Sequence, residues 1–243
     1  MDNVTIAKLL LSCLDLTSLR DNDSTDSISA LCQSANTSNI SPAALCVYSS
    51  FIPVLKEKLA NNIKIATVIN FPQGQNNLAL LEQEINKAIL LGADELDVVL
   101  PYNTLLEDNI DDCRTYLTTA RNLCKQKTLK IIIESGELKT ISNIKLASQL
   151  CIDAKADFIK TSTGKTSVSA TFESANAILE TIKTSGSPIG FKASGGIKTF
   201  MDAKGYFVLA QSIMGNKWLN PKNFRIGASS LFNDLHKTIN QGY

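Results

Sequence analysis

Three apolar segments of the sequence each carry a charged residue between hydrophobic neighbours. Asp97 lies within ELDVVL, Lys160 within FIKTS and Lys192 within IGFKAS. Burying an unpaired charge is costly, so each of these residues must be paired with an opposite charge, have a shifted pKa or take part in chemistry. A buried ion pair is a purely structural explanation for any one of them. One carboxylate cannot neutralise two ammonium groups, however, so an ion pair alone does not account for all three.

Two lysines held close together can perform carbonyl chemistry. Ammonium groups about 4 Å apart at an effective dielectric constant of about 20 repel each other by about 4 kcal/mol, which lowers the pKa of one lysine toward neutral pH. A neutral amine attacks a carbonyl carbon and forms a carbinolamine and then a Schiff base. The protonated Schiff base withdraws electrons, so an adjacent C–C bond can break or form, while a nearby aspartate transfers protons. The residue types therefore predict the chemistry of a class I aldolase.

The charged segments belong to a regular alternation of strands and helices. Eight apolar or β-branched runs predict strands, and apolar residues at helical spacing between them predict helices. Eight such repeats over about 250 residues indicate an α/β protein with a single (β/α)8 TIM barrel domain spanning 1–243. An open doubly wound sheet is the competing fold, but its glycine-rich first turn is absent. The predicted strands are 13–17, 44–48, 63–70, 95–101, 130–135, 158–162, 189–194 and 224–229.

The barrel places the three charged residues in one space. Alternate residues of a barrel strand point inward, so Leu96 and Val98 face the helices while Asp97 faces the interior. The same alternation turns Lys160 and Lys192 inward. Active sites of this fold lie at the carboxyl ends of the strands and in the loops that follow them. We therefore expect the three side chains to converge near that end of the barrel.

Three turns rich in small residues follow the last three predicted strands. Gly164–Thr166 reads GKT, but a nucleotide-binding P-loop requires glycine at position 159, which is isoleucine. Each glycine is compatible with a simple tight turn. Their shared position on one rim favours a phosphate-binding site built from backbone N–H groups, with a lysine adding positive charge. The expected phosphate-binding residues are Thr163, Gly164, Lys165, Gly195, Gly196, Gly227, Ser229 and Ser230.

The composition argues against several other classes of protein. With 24 basic and 23 acidic residues, the chain has no bulk charge to recruit nucleic acid or an anionic membrane. The six cysteines lack metal-site spacing and are typical of a reduced cytoplasmic protein. The single histidine, His236, makes zinc sites and histidine-based triads improbable. The N-terminal apolar run is a poor signal peptide and is too short to span a bilayer. We expect no cofactor and no metal.

Several stretches of the sequence together resemble the deoxyribose-phosphate aldolase family. They extend over nearly the whole chain, and their combination is highly specific. The resemblance implies a metal-free class I aldolase, a lyase on a (β/α)8 barrel that interconverts 2-deoxy-D-ribose 5-phosphate with D-glyceraldehyde 3-phosphate and acetaldehyde. It also implies a role in deoxyribonucleotide catabolism. The matching stretches are LDLTSL (14–19), ATVINFPQG (66–74), GADELDVVLPYN (92–103), IIIESGELK (131–139), ADFIKTSTGK (156–165), GFKASGGIKT (190–199) and FRIGASSL (224–231).

The resemblance assigns roles that residue types alone leave open. It implies that Lys160 forms the Schiff base and that Lys192 lowers the pKa of Lys160 and takes part in proton transfer. Asp97 becomes the second proton-transfer group, and the three small-residue turns become phosphate-binding loops. Some members of the family use a C-terminal tyrosine on a mobile tail as a proton relay, which implies this role for Tyr243 on a short tail around 238–243. A terminal tyrosine after glycine is also compatible with a disordered end.

Other polar residues near the predicted strand ends have weaker interpretations. Cys46 is expected to line the barrel as a packing residue. Asp15 and Thr17, at the end of the first strand, are candidates for ordering the site or binding substrate hydroxyls. Asp94 and Glu95 are expected to be loop and helix-end charges.

The sequence leaves two alternatives to this aldolase. One is a lysine-dependent aldolase or transaldolase with a different substrate. The other is a catalytically silent barrel that binds sugar phosphates, which would be expected to lack Asp97, Lys160 or Lys192. The expected partners are a small sugar phosphate and an aldehyde, with no nucleic acid or membrane, and a homodimer is the expected assembly from the family.

Overall fold

Eight parallel strands close into a barrel in which each strand pairs with the next along the chain and the eighth pairs with the first. The fold was obtained as a computed structural model, which describes residues 1–241. The predicted (β/α)8 TIM barrel is confirmed. The strands are β1 Leu14–Thr17, β2 Ala44–Val47, β3 Lys64–Ile69, β4 Glu95–Val99, β5 Thr128–Ile132, β6 Phe158–Lys160, β7 Gly190–Ser194 and β8 Phe224–Ala228.

The strands differ from the predicted ones only at their ends. β5 begins at Thr128, two residues before the predicted start, and β6 ends at Lys160, two residues before the predicted end. Residues 161–166 therefore belong to the loop that leaves the barrel after β6. This loop carries much of the polar sequence that follows Lys160.

Helices surround the barrel and connect its strands. Threonine or serine side chains cap several of them at their N-termini, where backbone N–H groups lack partners within the helix. Thr171, for example, accepts a hydrogen bond from Ser174 N and begins the helix that follows β6. The α-helices are α1 Asn3–Ser12, α2 Thr25–Asn36, α3 Ile52–Lys58, α4 Leu78–Leu91, α5 Tyr102–Leu106, α6 Ile110–Cys124, α7 Ile141–Asp153, α8 Phe172–Ser185, α9 Phe200–Met214 and α10 Leu231–Gln241.

The alternation of side chains separates two environments. Residues such as Leu96 and Val98 pack into the large core between the barrel and the helices. The interior of the barrel contains a small apolar cluster on β2 and β3 that includes Cys46. The charged residues of the other strands occupy the remainder of the interior. The predicted outward and inward directions of these β4 residues are confirmed.

The strand register brings charged residues to adjacent positions on neighbouring strands. Asp97 lies beside Lys130, Lys160 beside Lys192, and Lys192 beside Arg225. Neighbouring strands of a sheet are about 4.8 Å apart, so side chains at these paired positions can contact each other directly. The register thus assembles a charged interior from β4 through β8.

The C-terminal end of the chain is helical as far as it is described. Helix α10 runs through Gln241, so residues 238–241 of the predicted tail belong to this helix. Tyr243 lies outside the described residues, and its predicted relay role stays a prediction. Among residues 1–241, no helix is long and apolar enough to cross a membrane.

Candidate active site

Asp97 is the centre of the charged interior. Its carboxylate is fully buried and accepts hydrogen bonds from three lysines. Lys130 Nζ donates to Oδ1 at 2.8 Å, whereas Lys160 and Lys192 donate to Oδ2 at 2.8 and 2.7 Å. Burial by itself raises the pKa of Asp97, but the three lysines together hold it well below its usual value. Asp97 is therefore ionised and acts as an acceptor that joins the lysines.

Lys192 is held by two carboxylates. Its Nζ donates to Asp15 Oδ2 at 2.5 Å as well as to Asp97, and its side chain is fully buried. Burial alone lowers the pKa of Lys192, yet the carboxylates of Asp15 and Asp97 raise it above its usual value. Lys192 is therefore an ammonium group at neutral pH, placed to donate a proton or to repel a neighbouring cation.

Lys160 has a different environment from Lys192. Burial lowers its pKa, the Asp97 carboxylate opposes this effect, and the Lys192 ammonium lowers the pKa further, so that the overall direction is downward. Its side chain also lines the cavity at the mouth of the barrel. Lys160 thus combines access to a ligand with a tendency to lose its proton.

A second tier of charges lies below these residues, toward the amino ends of the strands. Lys130 Nζ lies 2.6 Å from Glu95 Oε2, and Arg225 donates to Glu95 at 3.1 Å and to Asp15 at 2.5 Å. The prediction that Glu95 is a loop charge is wrong, since Glu95 is the buried first residue of β4. Asp94, by contrast, lies before β4 and accepts a hydrogen bond from Ile65 N.

Lys130 and Arg225 were missed by the sequence analysis. Both have the signal that identified Lys160, namely one charge at an inward position of an apolar strand. Lys130 is the first residue of the predicted strand 130–135, where a charge is usually assigned to the preceding loop, but it is the central residue of β5; Arg225 is the second residue of β8. Only the register shows that their side chains reach the interior.

A cavity of about 190 Å³ opens above Lys160 at the carboxyl ends of the strands. Its walls contain Thr17, Thr163 and Ser194, and its rim is formed by the turns after β7 and β8. Lys198 lines it and was not predicted. Six of the eight expected phosphate-binding residues line this cavity: Thr163, Gly195, Gly196, Gly227, Ser229 and Ser230.

The two remaining residues of that set, Gly164 and Lys165, do not line the cavity. Lys165 Nζ lies 3.7 Å from Asp21, which is an exposed pair. Gly164 is exposed, and a Cβ at Gly195 would lie 3.2 Å from Gly164 Cα, so the two glycines are close neighbours. The structure thus assigns the rim charge beside the cavity to Lys198.

Small residues are required where the rim approaches the charged interior. A Cβ at Gly227 would lie 2.9 Å from Lys192 Cε, and one at Gly195 would lie 2.5 Å from Ser169 Cβ. Gly195 also has a φ of +88°, which side chains disfavour. Gly227 therefore leaves the space that the extended Lys192 side chain occupies.

Comparison with known proteins identifies the family of this chain. The family described as DeoC/LacD family aldolase matches residues 9–234. This chain belongs to the DeoC/LacD aldolase family. It is a class I aldolase, an enzyme of the carbon–carbon lyase class, and the family resemblance seen in the sequence is confirmed.

Solved structures superpose on nearly the whole aldolase. An aldolase named QR15 has a TM-score of 0.83 at 26% identity and covers 96% of this chain and 97% of its own. A Toxoplasma gondii protein, provisionally named a deoxyribose-phosphate aldolase, has a TM-score of 0.91 at 22% identity over 98% and 97%. The Aeropyrum pernix deoxyribose phosphate aldolase, described as tetrameric, has a TM-score of 0.78 at 22% identity over 100% and 98%. The last two show a shared fold.

Glu134 organises the loop after β6 in this aldolase. Its buried carboxylate accepts hydrogen bonds from Thr163 N, at 3.2 Å, and from the hydroxyl groups of Thr163 and Thr166. Burial raises the pKa of Glu134, although these hydrogen bonds oppose the shift. Glu134 was not singled out in the sequence, because its role depends on a contact between two different loops.

The positions of Cys46, Thr17 and Asp15 show which of these residues can reach the cavity of the aldolase. Cys46 is fully buried, and burial raises the pKa of its thiol to about 11, so it is protonated at neutral pH. Thr17 lines the cavity, whereas Asp15 lies deeper and holds Lys192 and Arg225. In the described part of the chain, no group of three or more His, Cys, Asp or Glu side chains is placed to hold a metal ion.

Proposed function

We propose that this aldolase interconverts 2-deoxy-D-ribose 5-phosphate with D-glyceraldehyde 3-phosphate and acetaldehyde, and that Lys160 is its Schiff-base nucleophile. One observation carries the choice of lysine. Of the three lysines around Asp97, Lys160 lines the cavity and has a lowered pKa, whereas Lys130 and Lys192 are fully buried with raised pKa values. A nucleophile must be both neutral and able to touch its substrate.

The first half of the proposed reaction forms the Schiff base. The neutral amine of Lys160 attacks the aldehyde carbon C1 of the sugar phosphate and forms a carbinolamine. Loss of water, with a proton supplied by the Lys192 ammonium, leaves a protonated Schiff base. Asp97 accepts hydrogen bonds from both nitrogens at one oxygen, so it provides a short route for the proton between them.

The second half breaks the carbon–carbon bond. The Lys192 amine, which gave its proton to the departing water, takes the proton of the C3 hydroxyl. The electrons of the C2–C3 bond then move to the Schiff-base nitrogen, which releases D-glyceraldehyde 3-phosphate and leaves an enamine. Protonation of C2 and hydrolysis of the resulting imine release acetaldehyde and restore Lys160. Lys192 is protonated again when it takes the C3 proton, since two carboxylates favour its ammonium form, and it then supplies the proton for C2.

The rim of the cavity supports a phosphorylated substrate. Glycine and serine turns after β7 and β8 line the mouth, the position where TIM barrels commonly hold phosphate with backbone N–H groups. Lys198 supplies a positive charge on the same rim. A phosphate bound there would place the other end of a five-carbon sugar toward Lys160 at the bottom of the cavity.

The proposal is tested by trapping the Schiff base. The protein is incubated with acetaldehyde or 2-deoxy-D-ribose 5-phosphate, reduced with borohydride, digested and mapped by mass spectrometry. We expect an adduct of the corresponding mass on Lys160 and its loss in Lys160→Arg. An adduct on Lys192 would overturn the choice of nucleophile, and no adduct at all would favour a barrel that only binds sugar phosphates.

Substrate specificity is tested separately from the mechanism. We expect 2-deoxy-D-ribose 5-phosphate to be cleaved with a much lower KM than 2-deoxy-D-ribose, and Lys198→Met to raise the KM for the phosphorylated sugar alone. Trapping on Lys160 together with faster cleavage of a different sugar phosphate would favour an aldolase or transaldolase of another substrate.

Two further proposals concern the setting of the enzyme. A reduced cytoplasmic location is supported by six cysteines that are all free and buried. The homodimer expected from the family is checked by light scattering coupled to size exclusion, and a monomer would refute it. We retain the proton-relay role of Tyr243 as a proposal, for which Tyr243→Phe should slow protonation of the enamine without preventing the adduct on Lys160.

A further inference from the structure

Lys130 occupies the centre of the interior charges but has no contact with the cavity. Its Nζ lies 2.6 Å from Glu95, 2.8 Å from Asp97 and 3.3 Å from Asp15, and its side chain is fully buried. It is absent from the residues that line the cavity above Lys160. A substrate in that cavity cannot touch Lys130. Any effect of Lys130 on the reaction must therefore pass through the carboxylates that it contacts.

The described charges of this interior do not balance when every group is ionised. We call the set of groups joined by ion pairs around Asp97 the interior network. Arginine remains protonated in proteins, so neutrality of the network requires one lysine to lose its proton. Within residues 1–241, the network comprises the carboxylates of Asp15, Glu95 and Asp97 and the cations of Lys130, Lys160, Lys192 and Arg225.

The contacts of the network single out one lysine. Lys130 pairs with three carboxylates and Lys192 with two. Among residues 1–241, Lys160 pairs with Asp97 alone, through the oxygen that Lys192 also uses. Lys160 is therefore the lysine for which the network provides the least negative charge.

We propose that Lys130 is a positioning residue that keeps Lys160 neutral, because it engages all three carboxylates of the network and so leaves Asp97 too little negative charge to retain Lys160 as an ammonium group. This inference rests on the proposed role of Lys160 as nucleophile. Without Lys130, the network would contain equal numbers of carboxylates and cations when Lys160 is protonated. The protonated form would then be favoured, and the reactive amine would be depleted.

Other titratable groups also face Lys160. Asp97 on β4 and Lys192 on β7 contact or flank its amine, Cys46 on β2 is a neutral thiol, and Glu134 approaches from the loop after β5. Glu134 favours protonated Lys160, but its carboxylate binds Thr163 and Thr166 and forms no ion pair with a described residue. Lys130 pairs with Asp97 but not with Lys192, Cys46 or Glu134, and those three remain in place in K130M. A change in the behaviour of Lys160 can therefore be assigned to the carboxylates that Lys130 contacts.

The experiment compares the wild-type protein with K130M, E95Q and the double variant K130M/E95Q. Each full-length protein is treated with acetaldehyde and cyanoborohydride over a range of pH, and the adduct on Lys160 is quantified by mass spectrometry. In K130M we expect the midpoint of trapping to rise by roughly one pH unit or more, with about tenfold slower trapping at neutral pH. In K130M/E95Q, loss of one cation and one carboxylate should return the midpoint toward that of the wild type. E95Q alone should move it downward.

The reversal in the double variant distinguishes a charge effect from loss of packing. An unchanged midpoint in folded K130M, or no return in K130M/E95Q, would overturn the inference. If circular dichroism shows that K130M is unfolded, the E95Q variant provides the test. A lower pH midpoint of Lys160 trapping in E95Q supports the role of the network, and an unchanged midpoint overturns it. Absence of any wild-type adduct on Lys160 would overturn the proposed function and this inference with it, whereas a wild-type adduct with unchanged midpoints overturns this inference alone.

Discussion

Replacing Lys192 by methionine should raise the pKa of Lys160 and slow the enzyme. Both ammonium nitrogens bind Asp97 Oδ2, at 2.7 and 2.8 Å, so they lie at most about 5.5 Å apart, the sum of the two distances. At an effective dielectric constant of about 20, this separation corresponds to a repulsion of about 3 kcal/mol, or roughly two pK units. Both side chains are almost fully buried, so solvent does little to weaken the effect. The neutral fraction of Lys160 near pH 7 should fall by up to about a hundredfold.

The assay for Lys192→Met has two parts. The pH dependence of Lys160 trapping by acetaldehyde and cyanoborohydride reports the protonation of Lys160, and kcat for sugar-phosphate cleavage reports the whole reaction. We expect the trapping midpoint to move upward and trapping to recover at high pH. Cleavage should recover less, because the proton donor is also lost.

Lys64→Met provides the matched control for this variant. Lys64 also lies on a strand of the barrel, but its side chain is exposed and outside the interior network. Its removal should leave the trapping midpoint unchanged. A midpoint that stays at the wild-type value in Lys192→Met, or that moves downward, would refute the electrostatic role of Lys192.

Three further predictions concern the loop, the rim and acid stability. Glu134→Ala removes the acceptor of Thr163 N and should raise the KM for the phosphorylated sugar severalfold with a smaller change in kcat; equal KM values would show that Glu134 does not order the loop. Gly227→Ala places a Cβ 2.9 Å from Lys192 Cε and should reduce kcat by at least about tenfold in a protein whose circular dichroism is unchanged, and a fully active variant would contradict the proposed need for space. Because the pKa of Asp97 is depressed in the folded protein, its ionised form stabilises the fold above the unfolded-state value of 3.8, and this contribution is lost as pH falls below that value toward the folded pKa. Thermal denaturation should therefore give a lower Tm at pH 3 than at pH 6, and Asp97→Asn should reduce this difference.

Local patterns in the sequence were sufficient for the architecture. The alternation of residues in ELDVVL placed Leu96 toward the helices and Asp97 toward the interior, because side chains on a strand alternate whatever the rest of the fold does. Eight such segments, separated by helical periodicity, predicted the barrel. The ends of the strands were less accurate, since β6 ends at Lys160, two residues before its predicted end.

The composition of the site was predicted less completely than its location. Asp97, Lys160 and Lys192 were expected to converge, and the structure brings them together around one carboxylate oxygen. The surplus positive charge inferred from these three residues is also present in the larger set, but it is distributed differently. Glu95 and Lys130 join the network because the register of β4 and β5 sets them close together, and no local pattern contains that register.

The sequence by itself determined which residue types enter the barrel and at which end the chemistry lies, because both follow from periodicities of two and 3.6 residues along a single chain. Only the tertiary structure decided that Lys160 must share its one carboxylate oxygen with another lysine. It also decided that Lys198 lies beside the cavity while Lys165 faces Asp21. The physical reason is that the pKa of a buried amine depends on distances of a few ångströms between strands far apart in sequence. Those distances are set when the barrel closes.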